Sequence, residues 1–164
     1  MGMDVFGKNP KTEKGSYFRN NVWYWHPLWD YCIHVLPDIA NKVKYAHSND
    51  GDGLNSVNSR KLGFALRKSI ESGEAQEYID KRQDYLDNLS NQPCHCTGVS
   101  LLESFVHDGE IPFPKTQPKD PNPECHSCKG TGNIPNFQTS YHLTLDNISN
   151  FSEFLLDCGG FQIC

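Results

Sequence analysis

The 164-residue chain contains no run of eighteen apolar residues, so no membrane-spanning helix is expected. Nor does it carry an excess of basic charge. Fifteen Lys and Arg against twenty Asp and Glu leave a net charge of −5, a poor balance for non-specific duplex binding, which depends on neutralising phosphates. The sequences Gly-x-x-x-x-Gly-Lys-Ser/Thr, His-Glu-x-x-His and Gly-x-Ser-x-Gly do not occur. The common phosphate-loop, metalloprotease and hydrolase signatures are thereby missing. The opening Met1-Gly2-Met3-Asp4-Val5-Phe6 has neither the basic stretch nor the apolar core of a secretory leader. Phe6 stands where a myristoylation motif needs Ser or Thr. Together these gaps lead to the expectation of a soluble, cytoplasmic protein.

What is present supports a folded chain. With 37% hydrophobic and 12% aromatic residues a substantial core can form. The charge is uneven: residues 1–72 carry a net +3 and residues 73–164 a net −8. An anionic ligand would therefore be sought on the N-terminal half. Seven cysteines is an odd number, and without an export signal reduced thiols are expected rather than disulfides.

Four of those thiols stand in two half-knuckles, Cys94-His95-Cys96-Thr97-Gly98 and Cys125-His126-Ser127-Cys128-Lys129-Gly130-Thr131-Gly132. Two cysteine pairs on two tight turns meet the tetrahedral requirement of Zn2+, and four sulfurs close its shell, which favours a structural over a catalytic metal. The expected ligands are Cys94, Cys96, Cys125 and Cys128, with His95 or His126 as alternatives for one sulfur. Cys32 and Cys158 lie in apolar helical patterns and are expected in the core.

Apolar spacing and turn residues predict an α+β fold, a small, helix-rich mixed domain over 1–164 with a zinc knuckle extruded at 93–135. Pro112, Pro114, Pro118, Pro121 and Pro123 make residues 112–123 an extended linker. A strand is predicted at 4–6 and a loop at 11–16. Helices follow at 27–36 (Pro27 in its first turn), from Pro37 through Tyr45, and at 57–72 and 74–89, the last two as an antiparallel hairpin. Thr139–Leu145 reads as a strand, Asp146 as the cap of a helix ending at Gly159-Gly160, and Phe161–Cys164 as a final strand.

The half-knuckle Cys-x-x-Cys-x-Gly-x-Gly resembles the repeat in the cysteine-rich domain of DnaJ-type chaperones. The likeness covers about eight residues at 125–132 and a degraded copy at 94–98. It stops there. That family has four such repeats and a His-Pro-Asp helical domain, whereas this chain has two halves and His26-Pro27-Leu28, so co-chaperone activity is not expected. Taken over its length, the chain resembles small bacterial and phage proteins with a Met-Gly-x-Asp-Val-(Tyr/Phe)-Gly-Lys-Asn-Pro start. These continue into Tyr-Phe-Arg-x-Asn-Val-Trp, an Asn-Asp-Gly loop, paired knuckles and a Gly-Gly-Phe-x-Ile-Cys end. The likeness spans residues 1–32, 49–54, 94–132 and 159–164, and implies a host-directed or anti-defence setting rather than a mechanism.

Residues Tyr17–Tyr31 hold seven aromatics, including all three tryptophans. Seven such side chains on neighbouring positions cannot all face inward, and Arg19, Asn20, Asn21 and His26 are interleaved with them. Arg19, Asn21, Trp23, Trp25, His26, Trp29 and Asp50 are accordingly the candidate surface for a protein partner or a small ligand. The Asn49-Asp50-Gly51-Asp52-Gly53 loop fails the EF-hand pattern, since, counted from Asp50, Leu54 stands at the fifth position and Lys61 at the twelfth. It reads as a turn whose aspartates bond backbone. The expected function is a non-enzymatic, zinc-stabilised binding module. Two alternatives stand beside it: an enzyme using Arg19, His26, His47 and Asp50, and a nucleic-acid binder with the zinc knuckle and the Arg60, Lys61, Arg67, Lys68 helix face as its warrant.

Overall fold

The computed structural model describes residues 2–98 and 119–164, so residues 112–118 of the expected linker lie outside the described part. The fold is α+β and helix-rich. In chain order the elements are β1 (Gly2–Gly7), α1 (Glu13–Ser16), β2 (Tyr17–Asn21), α2 (Val22–Val35), α3 (Pro37–Ala40), α4 (Ser56–Glu71), α5 (Glu74–Asp87), β3 (Gln92–Pro93), β4 (Asn133–Ile134), α6 (Leu145–Asp157) and β5 (Phe161–Ile163). The chain divides into two compact units, Met1–Leu86 with Ser140–Cys164, and Asp87–Thr139.

The first unit is built on a three-stranded antiparallel sheet, β2-β1-β5, with Val5 opposite both Phe18 and Ile163. Period-2 alternation sends Met3, Val5, Phe161 and Ile163 inward. On the outer face Tyr17 donates to the Asp4 carboxylate, which also pairs with Arg19 at 3.7 Å. Against the inner face pack Trp25 and Trp29 of α2 and Phe151 and Phe154 of α6, with Leu62 and Leu66 of α4 in the same buried core. Helix α4 packs mainly on α6 rather than pairing with α5 as the hairpin reading expected. Gly63 allows that approach, because a Cβ there would meet Leu156 Cγ at 3.0 Å, and its carbonyl accepts from Ser152 Oγ at 2.9 Å.

Besides the helix expected from Pro37 through Tyr45, which ends at Ala40, three further places differ from the sequence reading. Helix α2 starts five residues early, at Val22, capped by the Asn21 side chain accepting from Tyr24 N–H at 3.1 Å. Pro27 is then interior and cannot donate to the Trp23 carbonyl. His142 N–H fills that place at 3.0 Å, and Asn147 Nδ2 reaches the Tyr24 carbonyl at 3.3 Å. The same contact explains why 139–145 is not a strand. Phe137–Ser140 forms a 3-10 turn, and the following residues run as irregular chain against α2. Thr144, not Asp146, caps α6, accepting from Asn147 N–H. Third, residues 11–16 contain the short α1, capped by Thr12, where a loop was expected.

The Asn49–Gly53 loop has a structural purpose. Gly51 N–H donates to Ile163 O at 2.7 Å, Ile163 N–H to Asp52 O at 2.8 Å, and Phe161 N–H to Leu54 O at 2.9 Å. The loop thus continues the ladder along β5. Asp52 secures it through Oδ2, which accepts from Tyr45 N–H at 3.0 Å, and Oδ1, which accepts from Gly53 N–H at 2.7 Å. A Cβ on Gly53 would lie 2.0 Å from Phe161 O, a backbone atom that cannot swing away. Gly53→Ala is expected to lower stability by at least about 2 kcal/mol, the upper part of the overpacking range. Urea denaturation checks it, with Gly51→Ala as the comparison, since Gly51 has open space around its Cβ position but a φ of +80°.

Candidate functional site

The second unit, Asp87–Thr139, is organised around its thiols. Strands β3 and β4 pair Gln92 with Ile134 and Pro93 with Asn133, which sets the two half-knuckles side by side. In the first, Thr97 N–H donates to Cys94 O, Gly98 N–H to His95 O, and Gly98 turns the chain at φ +73°. In the second, Lys129 N–H donates to Cys125 O and Thr131 N–H to Cys128 O, with Gly130 at φ +83° and Gly132 at φ +76°. The glycines are there for these left-handed turns. A bond from Cys94 N–H to Gly132 O at 2.8 Å ties the halves together.

The four sulfurs converge. Cys94 Sγ is 3.7 Å from Cys125 Sγ and Cys96 Sγ is 3.5 Å from Cys128 Sγ, and all four lie within 4.8 Å of one another. This is the group among the described residues that could hold a metal ion. Neither histidine belongs to it: His95 Nδ1 sits 3.6 Å from Cys94 Sγ, and His126 is exposed. The electrostatics of the two halves differ. Backbone groups of Cys128 and Ser127 pull the Cys125 thiol down to about 6. At Cys96 the backbone of Asn122 also favours the thiolate, but burial and the three neighbouring thiols outweigh it and push the group to about 12. The arrangement is a cage of soft donors with amide groups turned toward sulfur, suited to a thiophilic cation.

The aromatic segment is split by the structure. Trp25 and Trp29, at 0% and 1% exposure, belong to the core, which corrects their assignment to a recognition surface. They stack on each other at 5.6 Å, and Trp25 Nε1 donates to Ala46 O at 2.7 Å, so even the polar handle is used internally. Helical period decides this: Trp25, Leu28, Trp29 and Cys32 share the buried stripe of α2, while Trp23, His26 and Asp30 fall outside it. Asn21 is exposed, but its side chain is the α2 cap. Asp50 is exposed in its turn and accepts from Ser48 Oγ at 2.5 Å. Arg19 lies on β2, paired with Asp4.

Trp23 and His26 do reach the surface together. Trp23 meets the Tyr141 ring edge-on at 4.9 Å, His26 stacks on Tyr141 at 5.5 Å, and the His47 ring lies 4.2 Å from His26. Tyr141 was missed by sequence reasoning, because no local pattern signals a residue brought against α2 from 115 positions away. Among the described residues no hydrogen bond joins either imidazole to a carboxylate. The four residues of the enzyme reading are therefore divided: His26 and His47 are together, while Arg19 and Asp50 are engaged elsewhere.

Burial and the adjacent His26 hold the His47 imidazole below its ordinary value, with Asp30 opposing them. A depressed histidine pKa means the unfolded chain takes up the proton first as pH falls. Stability is expected to be full above about pH 6.5 and to decline below it, through the lowered folded value. His47→Gln, which cannot charge, should flatten part of that decline. Urea midpoints of both proteins at about pH 7.5 and about pH 5.5 test it, since acid loss of a metal affects the two equally; identical slopes would count against the assignment.

No protein-family model matches the chain, and neither a curated protein nor a solved structure matches it. Among the described residues no helix is long and apolar enough to cross a membrane.

Proposed function

We propose that the cysteine cage is a structural zinc site and that the chain is a non-enzymatic binding module. One observation carries the reading: four thiols converge in a unit whose buried described residues are otherwise only Thr97 and Gly132. A tetrahedral zinc with Zn–S bonds of about 2.3 Å has S···S edges of about 3.8 Å, close to the 3.7 Å between Cys94 and Cys125 and the 3.5 Å between Cys96 and Cys128. Four sulfurs leave no open position for water, so the metal's contribution is to folding rather than to reaction. Outside the cage, the described hydrophobic core lies wholly in the other unit.

Recognition is assigned to the group of exposed Trp23 with half-buried His26 and Tyr141, where an aromatic face and imidazole donors meet a protein partner or small ligand. Its host-directed or anti-defence setting rests on the resemblance to bacterial and phage proteins. Nucleic acid is not favoured, given the net charge of −5.

Native mass spectrometry of the purified chain with and without chelator tests the metal. One zinc-sized mass step per chain is expected, lost with chelator and lost in Cys128→Ser. No step, or retention in that variant, would sink the reading. A nucleic-acid role would instead require an affinity that falls steeply with salt.

A further inference from the structure

On the first unit, helices α2 and α5 enclose a hollow of about 400 Å3, lined by Tyr31, His34, Glu74, Glu77, Tyr78 and Lys81, with Val35 adding an apolar patch. It shares no residue with the cysteine cage or with the Trp23 group. Its walls are rings: Tyr31 and Tyr78 lie 4.8 Å apart, and His34 sits 4.7 Å from Tyr78 and stacks toward Tyr31 at 6.1 Å. The Tyr31 hydroxyl donates inward to buried Ser69 at 2.9 Å and the residue is only 1% exposed, so it backs the hollow, and the half-buried Tyr78 ring is the tyrosine that faces it.

Two carboxylates share the lining. Glu74 has no ion pair among the described residues, and Glu77 is paired only with Lys81, four residues on along the same exposed helix face, at 2.6 Å. An exposed pair of that kind is cheaply exchanged for another cation. The surrounding field has the same sign. Burial raises the Tyr31 and Tyr78 hydroxyls, with Glu74 adding to it at Tyr31, and Asp30 at Tyr78 against the opposition of Arg82. Carboxylates alone on the first turn of a helix would only answer its dipole; beside the Tyr78 face and an open volume they complement a positive charge with an apolar stem.

We propose that this hollow binds an organic cation, a guanidinium or alkylammonium group, held between the Tyr78 ring and the Glu74 and Glu77 carboxylates. An anion of the same size meets two carboxylates against one lysine. A neutral alkyl group gains the apolar patch and nothing from the charges. The site goes beyond the zinc-module reading and does not depend on it.

Calorimetric titration of the full chain with butylguanidinium, butylammonium and butyrate tests the assignment. Both cations are expected to saturate with Kd below about 1 mM, and butyrate to show no binding. Glu74→Gln should weaken cation binding about tenfold, as should Tyr78→Leu, while Tyr78→Phe retains it because the ring face is what acts. Glu71→Gln, on the exposed end of α4, should leave it unchanged. N-acetylarginine amide separates two sources of the same chemistry: tighter binding than butylguanidinium points to a side chain on a polypeptide, weaker binding to a free cation. Absence of saturation by about 10 mM, equal binding of butyrate, or equal effects of Glu71→Gln and Glu74→Gln would overturn the proposal. Thermal melts of each variant separate lost binding from lost folding.

Discussion

Chelation of the metal is expected to abolish amide protection in the second unit while leaving that of the first nearly intact. The amides that should become exchangeable are those of Cys94, Thr97, Lys129 and Thr131, whose acceptors all lie within the knuckles. Those of the β1–β2 and β1–β5 ladders should stay protected. The reason is the distribution of buried apolar surface. The first unit buries Trp25, Trp29, Phe151, Phe154 and Phe161 around a sheet, whereas the buried residues described in 87–139 are Cys94, Thr97, Cys128 and Gly132. A unit of this size with no hydrophobic cluster among its described residues calls for a staple. Structural zinc supplies on the order of 10 kcal/mol of apparent binding free energy, all of it folding free energy. Cys128→Ser should reproduce the chelated pattern in hydrogen exchange. Retained protection in the chelated chain would show that the knuckles fold on hydrogen bonds alone.

The second large effect separates two neighbouring tryptophans. Trp25→Ala is expected to cost about 3–5 kcal/mol, from lost burial and the cavity left behind, and to leave the Ala46 carbonyl without its donor. For a chain of this size that corresponds to roughly 10 °C or more in Tm. Trp23→Ala should cost about 1 kcal/mol or less, since Trp23 is 43% exposed and its described ring contact is the edge of Tyr141. Urea denaturation of both variants reads the difference directly. Comparable losses would mean that Trp23 is structural too, and would remove it from the recognition surface.

Much of the cage was legible because its information is local. Cys-x-x-Cys-x-Gly-x-Gly states both the donors and the turn that aims them, and the left-handed glycines at 130 and 132 follow from backbone sterics within eight residues. Helix α4 was similarly legible from Leu62, Leu66 and Gly73. Two local readings went astray for one shared reason. Pro27 resembled a helix start, and Thr139–Leu145 resembled a strand. In both cases a distant partner supplied the backbone hydrogen bond that local preference had assigned, His142 N–H at the Trp23 carbonyl, whereas the Asp-Gly loop is the backbone-bonded turn its composition indicated.

The sequence by itself determined the composition of the metal cage, the helix-rich α+β class and the buried stripes, since each is written in spacings shorter than two helical turns. Tertiary structure alone decided which of the seven clustered aromatics are core and which are surface. It brought Tyr141 against Trp23 and His26, and it placed Glu74 and Glu77 of one helix beside the tyrosine and histidine of another. Those juxtapositions depend on the direction in which each helix leaves the sheet and on how closely α4 approaches α6 at Gly63. Packing sets such directions collectively, and no short stretch of residues encodes them.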